Sequence, residues 1–268
     1  MIKHTLLRNI RALRRVHAEI LVACAIGIAC GMVISRSGPM EGSVIRTSRT
    51  FPAFDHTVFP VSRVPNWGAM HSAAEWNRPY DQMTGEDFVA TPGYDLEKFS
   101  TPFKLVVSRQ NTEEITRRLF YSTKFLGQYD IDAGEYTGTH PGVDLKLAFG
   151  TPVGSIAGGR VYAVRSNDIL GTHVIIEHRH PRDGTFYSTY AHLSSVTVRK
   201  NQRLRPGQTI GAVGMTGNTS APHLHLQVDR EYRGVTHAPY QPTDGASLQE
   251  MQQWTVNPIR FIERYAGA

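Results

Sequence analysis

Apolar and polar positions fall into three textures along the chain. Ile20 to Ile34 ("ILVACAIGIACGMVI") is uninterrupted apolar or small, residues 37 to about 110 hold no sustained period, and from about residue 115 short β-rich runs take over. The last texture is the most informative. In "SAPHLHLQV" (Ser220–Val228) leucines and histidines alternate. Strand side chains point to opposite faces in turn, so Leu224 and Leu226 face a core while His223 and His225 share the other face. In "VDLKL" the same alternation sends Val143 and Leu145 inward and Asp144 outward. Further runs ("RRLFYSTKF", "TPVGSI", "GRVYAVRS", "THVIIEH", "TFYSTYAHL", "VTVRK", "QTIGAVG") are separated by turn signals such as "AFGTP", "AGG", "PRDG", "RPGQ" and "TGNTSAP". Many short strands with glycine turns predict an all-β sandwich or barrel over residues 115–268. Asn201 stands where a positive φ is expected, a conformation Asn tolerates second only to Gly.

Residues 37–114 read as a proline-rich linker with an irregular segment that packs on the β domain, and "FKLVVS" (Phe103–Ser108) as a short strand within it. Trp67, Trp76, Phe51, Phe54 and Phe59 lie here, and aromatics are what disordered segments tend to lack. They need a surface to cover: either the groove of the β domain, as a lid or partial plug, or its back, as a spacer.

Charge changes the reading of the N-terminus. Of the net +6, residues 1–36 supply +5 through Lys3, Arg8, Arg11, Arg14, Arg15 and Arg36 against Glu19. The rest of the chain carries +1, so a nucleic-acid surface is not expected. A basic flank followed by an apolar run is an export signal, with the positive side retained in the cytoplasm. Fifteen residues are few for a span and slightly many for a cleavable signal. The expectation is an uncleaved signal anchor, residues 20–34 holding the chain to the cytoplasmic membrane with the remainder outside. "LVAC" (Leu21–Cys24) has the look of an acylation box, but Glu19 interrupts the apolar stretch that should precede it. Both cysteines, Cys24 and Cys30, lie in the apolar run, so no disulfide and no thiolate serves the exported part.

The chemistry-bearing residues are histidines beside a carboxylate. His140 precedes Asp144 across a Pro141–Gly142 bend, "TYAHLSS" puts His192 at a strand end, and His223 and His225 share a strand face. Imidazole and carboxylate suit zinc, and three such ligands leave a position open for water. Taken one at a time, each fits a structural role or proton transfer equally well. His178 and His180 repeat the one-apart spacing in "EHRHPRDG", a charged stretch read as a solvated turn.

"HPGVD", "YAHLS" and "HLHLQV", in that order, resemble the lysostaphin or LytM type of zinc metallopeptidase, which cleaves peptidoglycan cross-bridges. "GTPVGSIAGGRVYAV" and "VTVRKNQRLRPGQTIGAVGMTGNTSAPHLHLQV" extend the resemblance over about Tyr136 to Val228. Asn201 and Ala221 replace glycine, and Leu226 and Gln227 replace Phe and Glu, without removing a ligand. The resemblance implies the duplicated hybrid motif fold, an antiparallel β-sheet flooring a groove. It also implies a Zn2+ held by His140, Asp144 and His225, with His192 and His223 working beside the metal. The implied function is hydrolysis of peptidoglycan peptides in the cell envelope. Some relatives of this fold lose ligands and become wall-binding or hydrolase-activating modules, which is the competing reading. The stretch after Asp229, up to "NPIRFIERY", is an insert without an assigned role.

Overall fold

The period-two alternation after residue 140 becomes antiparallel sheet. In chain order the strands are β1 (Val64–Pro65), β2 (Phe88–Val89), β3 (Tyr121–Thr123), β4 (Gly142–Lys146), β5 (Pro152–Gly154), β6 (Gly159–Arg165), β7 (His173–His180), β8 (Gly184–Ala191), β9 (Leu193–Val196), β10 (Arg203–Leu204), β11 (Thr209–Val213), β12 (His223–Arg230) and β13 (Thr255–Val256). The helices are α1 (Ala73–Trp76), α2 (Leu96–Ser100), α3 (Thr112–Phe120), α4 (Leu248–Trp254) and α5 (Pro258–Tyr265). This computed structural model describes residues 50–100, 111–128, 134–232, 236–241 and 247–267.

An 8-stranded sheet runs β10-β6-β7-β8-β12-β4-β3, with β13 also paired to β12, and a 3-stranded sheet runs β5-β11-β9. Within the large sheet β12 lies between β4 and β8, so its residues have neighbours on both sides. His225 is opposite Asp144 on β4 and opposite Ala191 on β8. One face of this central trio is the core: Val143, Leu145, Leu224, Leu226 and Val228 are fully buried and cluster with Ile259, Phe261 and Ile262 of α5. Asn257 caps α5, its side chain accepting from the backbone N–H groups of Ile259 and Arg260, with Pro258 at the first helical position. Backbones approach closely beside the site. A Cβ on Gly142 would meet the Leu226 carbonyl oxygen at 2.4 Å and His225 Cε1 at 3.0 Å, so any side chain there would push β4 off β12. Asn201 has the expected positive φ, 68°.

Residues 50–100 and 111–128 belong to the same compact unit as the β domain. Phe54, Val61, Val64, Trp67 and Met70 are buried in its core, and the Trp67 indole N–H donates to the Lys146 carbonyl at 3.1 Å. "RRLFYSTKF", read as a strand, is divided: Arg117–Phe120 end α3, and only Tyr121–Thr123 are β. Helix wins because Glu113 and Glu114 open it and Arg117 and Arg118 close it, pairing four residues apart at 2.9 and 3.2 Å. His178 and His180 are likewise corrected. They lie in β7 and not in a turn, and His178 is fully buried. The strand expected at Phe103–Ser108 and the apolar run at residues 20–34 lie outside the described residues. Among the described residues no helix is long and apolar enough to cross a membrane.

Candidate metal centre

Three donor atoms from two strands and one loop converge. His140 Nε2 stands 3.1 Å from Asp144 Oδ1 and 3.1 Å from His225 Nδ1, and His225 Nδ1 stands 2.9 Å from Asp144 Oδ1. Among the described residues these form the one His/Cys/Asp/Glu group whose donor atoms lie close enough together to hold a metal ion. The three edges of about 3 Å are near the ~3.3 Å edge of a tetrahedron with bonds of about 2.0–2.1 Å. All three residues are at most 5% exposed. Such proximity of three polar groups in a buried place needs a partner to share.

The tautomers fit that partner. His140 Nδ1 donates to the Lys124 carbonyl at 3.0 Å, which leaves Nε2 with a lone pair toward Asp144. His225 Nε2 lies 3.1 Å from Gln227 Oε1 and donates to it, which leaves Nδ1 as the donor atom facing the site. Gln227 is oriented in turn: its amide nitrogen donates to Asp229 Oδ1 at 2.8 Å and to the Tyr240 carbonyl at 3.2 Å. Burial raises the cost of charge on Asp144, yet His140 and His225 beside it hold its carboxyl well below the usual range. It is therefore an anion across ordinary pH, the form a cation requires. Burial also opposes charge on His140, but Asp144 outweighs it and the imidazole is raised.

His192 and His223 flank this triangle. Their ring centroids are 4.5 Å apart, and His192 lies 6.2 Å from His225. Both use Nδ1 on backbone carbonyls, His192 on Thr216 at 2.8 Å and His223 on Ala221 at 2.9 Å, so each presents Nε2 as a base. His223 Nε2 is 3.7 Å from Asp144 Oδ1. His192 follows β8 directly with φ of 61°, a left-handed conformation that strains a residue with a Cβ. Burial, with His223 and His225 nearby, pushes its pKa down to about 4, so it is neutral at pH 7.

The five residues singled out in the sequence thus line one cleft of about 800 Å³. His178 and His180 do not: His178 bonds the Gly158 carbonyl and Ser188 Oγ, and His180 packs against Tyr265 and Phe54. The sequence assigns no role to Lys146 and marks Gln227 only as a replacement for Glu. Gln227 is two residues after His225 on β12, and Lys146 two residues after Asp144 on β4, so the period-two rule already placed both on the cleft face.

Residues 138–239 match the family model "Peptidase family M23". The peptidoglycan DD-endopeptidase ShyA of Vibrio cholerae is 37% identical over 89 residues, 33% of this chain and 20% of that protein. The glycyl-glycine endopeptidase ALE-1 of Staphylococcus capitis is 38% identical over 92 residues, 34% of this chain and 24% of that protein. The chain therefore spans about a fifth to a quarter of the length of these curated relatives. The solved catalytic domain of lysostaphin from Staphylococcus simulans is 28% identical, covering 47% of this chain and 80% of that one, with a TM-score of 0.37. Residues 138–239 are a peptidase family M23 domain, homologous to the lysostaphin-type and ShyA endopeptidases.

Proposed function

We propose that this chain is a zinc-dependent endopeptidase that hydrolyses peptide cross-links of bacterial peptidoglycan on the outer side of the cytoplasmic membrane. The observation that carries the reading is the meeting of His140 Nε2, Asp144 Oδ1 and His225 Nδ1 within about 3 Å of one another, with two further imidazoles at the same mouth. Zinc is the ion this donor set favours: two neutral imidazoles and one carboxylate, with a position left open. Bound there, zinc would supply Lewis acidity and make a water acidic enough to ionise near neutral pH.

The chain's own groups do the rest. His192 and His223 hold Nδ1 on backbone carbonyls and leave Nε2 for the cleft, and one of them accepts the proton of the attacking water. The two rings stand 4.5 Å apart at one mouth, so the proton taken from water can be returned to the leaving amine from the same place. The protonated ring stabilises the oxyanion of the tetrahedral intermediate. The buried floor of Leu224 and Leu226 and the β4–β12 register fix these groups before substrate arrives. The basic flank and apolar run of residues 1–36 would deliver and hold the enzyme at the membrane's outer face.

The test is metal content of the purified chain followed by turbidity loss of a cell-wall suspension. One zinc per chain together with loss of turbidity supports the reading, and zinc without hydrolysis supports a wall-binding module.

A further inference from the structure

Among the described residues, Lys146 is the one Lys or Arg lining the cleft. It lies opposite His223 in the β4–β12 ladder, as Asp144 lies opposite His225. Directly opposed strand residues hold their Cβ atoms about 5 Å apart, and positions i and i+2 lie roughly 7 Å apart on one face. Lys146 is therefore one step along the cleft floor from the candidate metal position, beside a candidate catalytic histidine. Its ammonium sits 4.7 Å from the centres of both the Trp67 and the Trp76 rings. Those indoles are themselves fixed: Trp67 Nε1 donates to the Lys146 carbonyl and Trp76 Nε1 to the Met70 carbonyl. Two aromatic faces attract a cation but cannot neutralise it. Among the described residues Lys146 enters no ion pair, and Asp144 is already engaged by His140 and His225. A half-buried ammonium held in place without a counter-ion, at the edge of a substrate cleft, is a carboxylate receptor.

We propose that Lys146 binds a free carboxylate of the substrate, within about two residues of the bond that is cut. This rests on the endopeptidase reading and narrows it. A run of glycines has no internal carboxylate to offer, whereas a stem-peptide cross-link bearing a free α-carboxylate beside the scissile amide does. The chemistry selects the second class, and Trp67 and Trp76, from the segment before the β domain, act as positioning residues for the ammonium.

The test uses the full chain loaded with zinc and two synthetic cross-link peptides that differ only in carboxylate or carboxamide beside the scissile bond. Binding by calorimetry and turnover by mass spectrometry are both read. The expected result is about tenfold or greater preference for the carboxylate in affinity. In Lys146→Met the ratio of the two affinities should collapse to near one, and Lys146→Arg should keep most of it. Equal binding of the two peptides by the unmodified chain overturns the proposal, as does an unchanged ratio in Lys146→Met. The endopeptidase reading fails separately: it falls if neither peptide nor isolated wall is cut, and the affinity ratio still decides the role of Lys146.

Discussion

Asp144 and His225 are direct cross-strand partners, and their side chains meet at 2.9 Å on the cleft face of the β4–β12 pair. His140 closes the triangle from the bend before β4, its Nε2 3.1 Å from both. A slip of one residue between the strands would send His225 to the core face, so the ladder that builds the fold also builds the site.

The proposed metal ligands can be tested one at a time. Replacing His140, Asp144 or His225 by Ala should strip the zinc and abolish wall hydrolysis while the far-ultraviolet circular dichroism of the β domain persists. Elemental analysis after dialysis is the readout. A His225→Ala protein that kept one zinc per chain and full activity would refute the ligand assignment.

His192 and His223 should divide from those three. Each is hydrogen-bonded through Nδ1 to a backbone carbonyl and neither belongs to the donor triangle. His192→Ala and His223→Ala should keep zinc and lose several hundredfold or more in kcat, the usual range for a proton-transfer or oxyanion group. If both variants lost their zinc, the division of roles would not stand.

Gln227 sets the His225 tautomer by accepting its Nε2 proton. Gln227→Leu removes that acceptor and leaves Asp229, fully buried, without the amide that bonds it at 2.8 Å. Zinc affinity should fall roughly 10–100-fold, as for other groups that orient a metal ligand. Competition with a chromophoric chelator measures it, and an affinity equal to that of the unmodified chain would show that the hydrogen bond does not tune the site.

How far these residues were legible depends on periodicity. Where β strands lie half-buried, one face apolar and one polar, alternation alone placed Leu224 and Leu226 inward and His223 and His225 outward. The structure keeps that arrangement. Lys146 obeyed the same rule without a motif to mark it, and Gln227 stood out only as a replacement for Glu, because a lone Lys or Gln on a polar face carries no chemistry of its own. His178 was misread because "EHRHPRDG" is charged: its neighbours Glu177 and Arg179 pair with each other at 2.6 Å, so a charged run continues a strand while His178 points inward. Residues 50–100 and 111–128 were least legible. Their apolar side chains cover an irregular surface and therefore follow neither period, and short helices such as α1 depend on a Ser72–Glu75 capping box more than on an apolar stripe.

His178 should make the fold acid-sensitive. It is fully buried between the Gly158 carbonyl and Ser188 Oγ, and burial pushes its pKa down to about 4. In the unfolded chain it protonates near its ordinary 6.5, so between pH 6.5 and about 4 the unfolded state binds the extra proton. Stability therefore falls as pH falls through that window, by on the order of 3 kcal/mol from this group, and the loss from it ends below about pH 4. Denaturant melts at pH 7, 5.5 and 4.5 should show this dependence, reduced by up to one proton in His178→Gln. Identical pH slopes for the two proteins would remove His178 as the cause.

The segment before the β domain should prove to be part of the folded unit and not a removable lid. Thr57 Oγ1 donates to the Ile262 carbonyl at 2.6 Å, the Gly68 N–H donates to Thr116 Oγ1 at 2.8 Å, and Trp67 bonds the Lys146 carbonyl on the strand that carries Asp144. Phe54, Val61, Val64, Trp67 and Met70 enter the core of the β domain. A lid over the cleft would leave such side chains exposed on opening, and the segment would be tethered by a few surface contacts. Here its loss uncovers apolar core and removes the Trp67 hydrogen bond to β4. Trp67→Ala alone should cost about 3–5 kcal/mol, the usual loss for a buried Trp. A chain beginning near Asn111 should therefore melt at a lower temperature than one beginning at Ser37 and cut isolated wall more slowly. Faster cutting by the shorter chain, with zinc and melting temperature intact, would mean that the segment occludes the cleft after all.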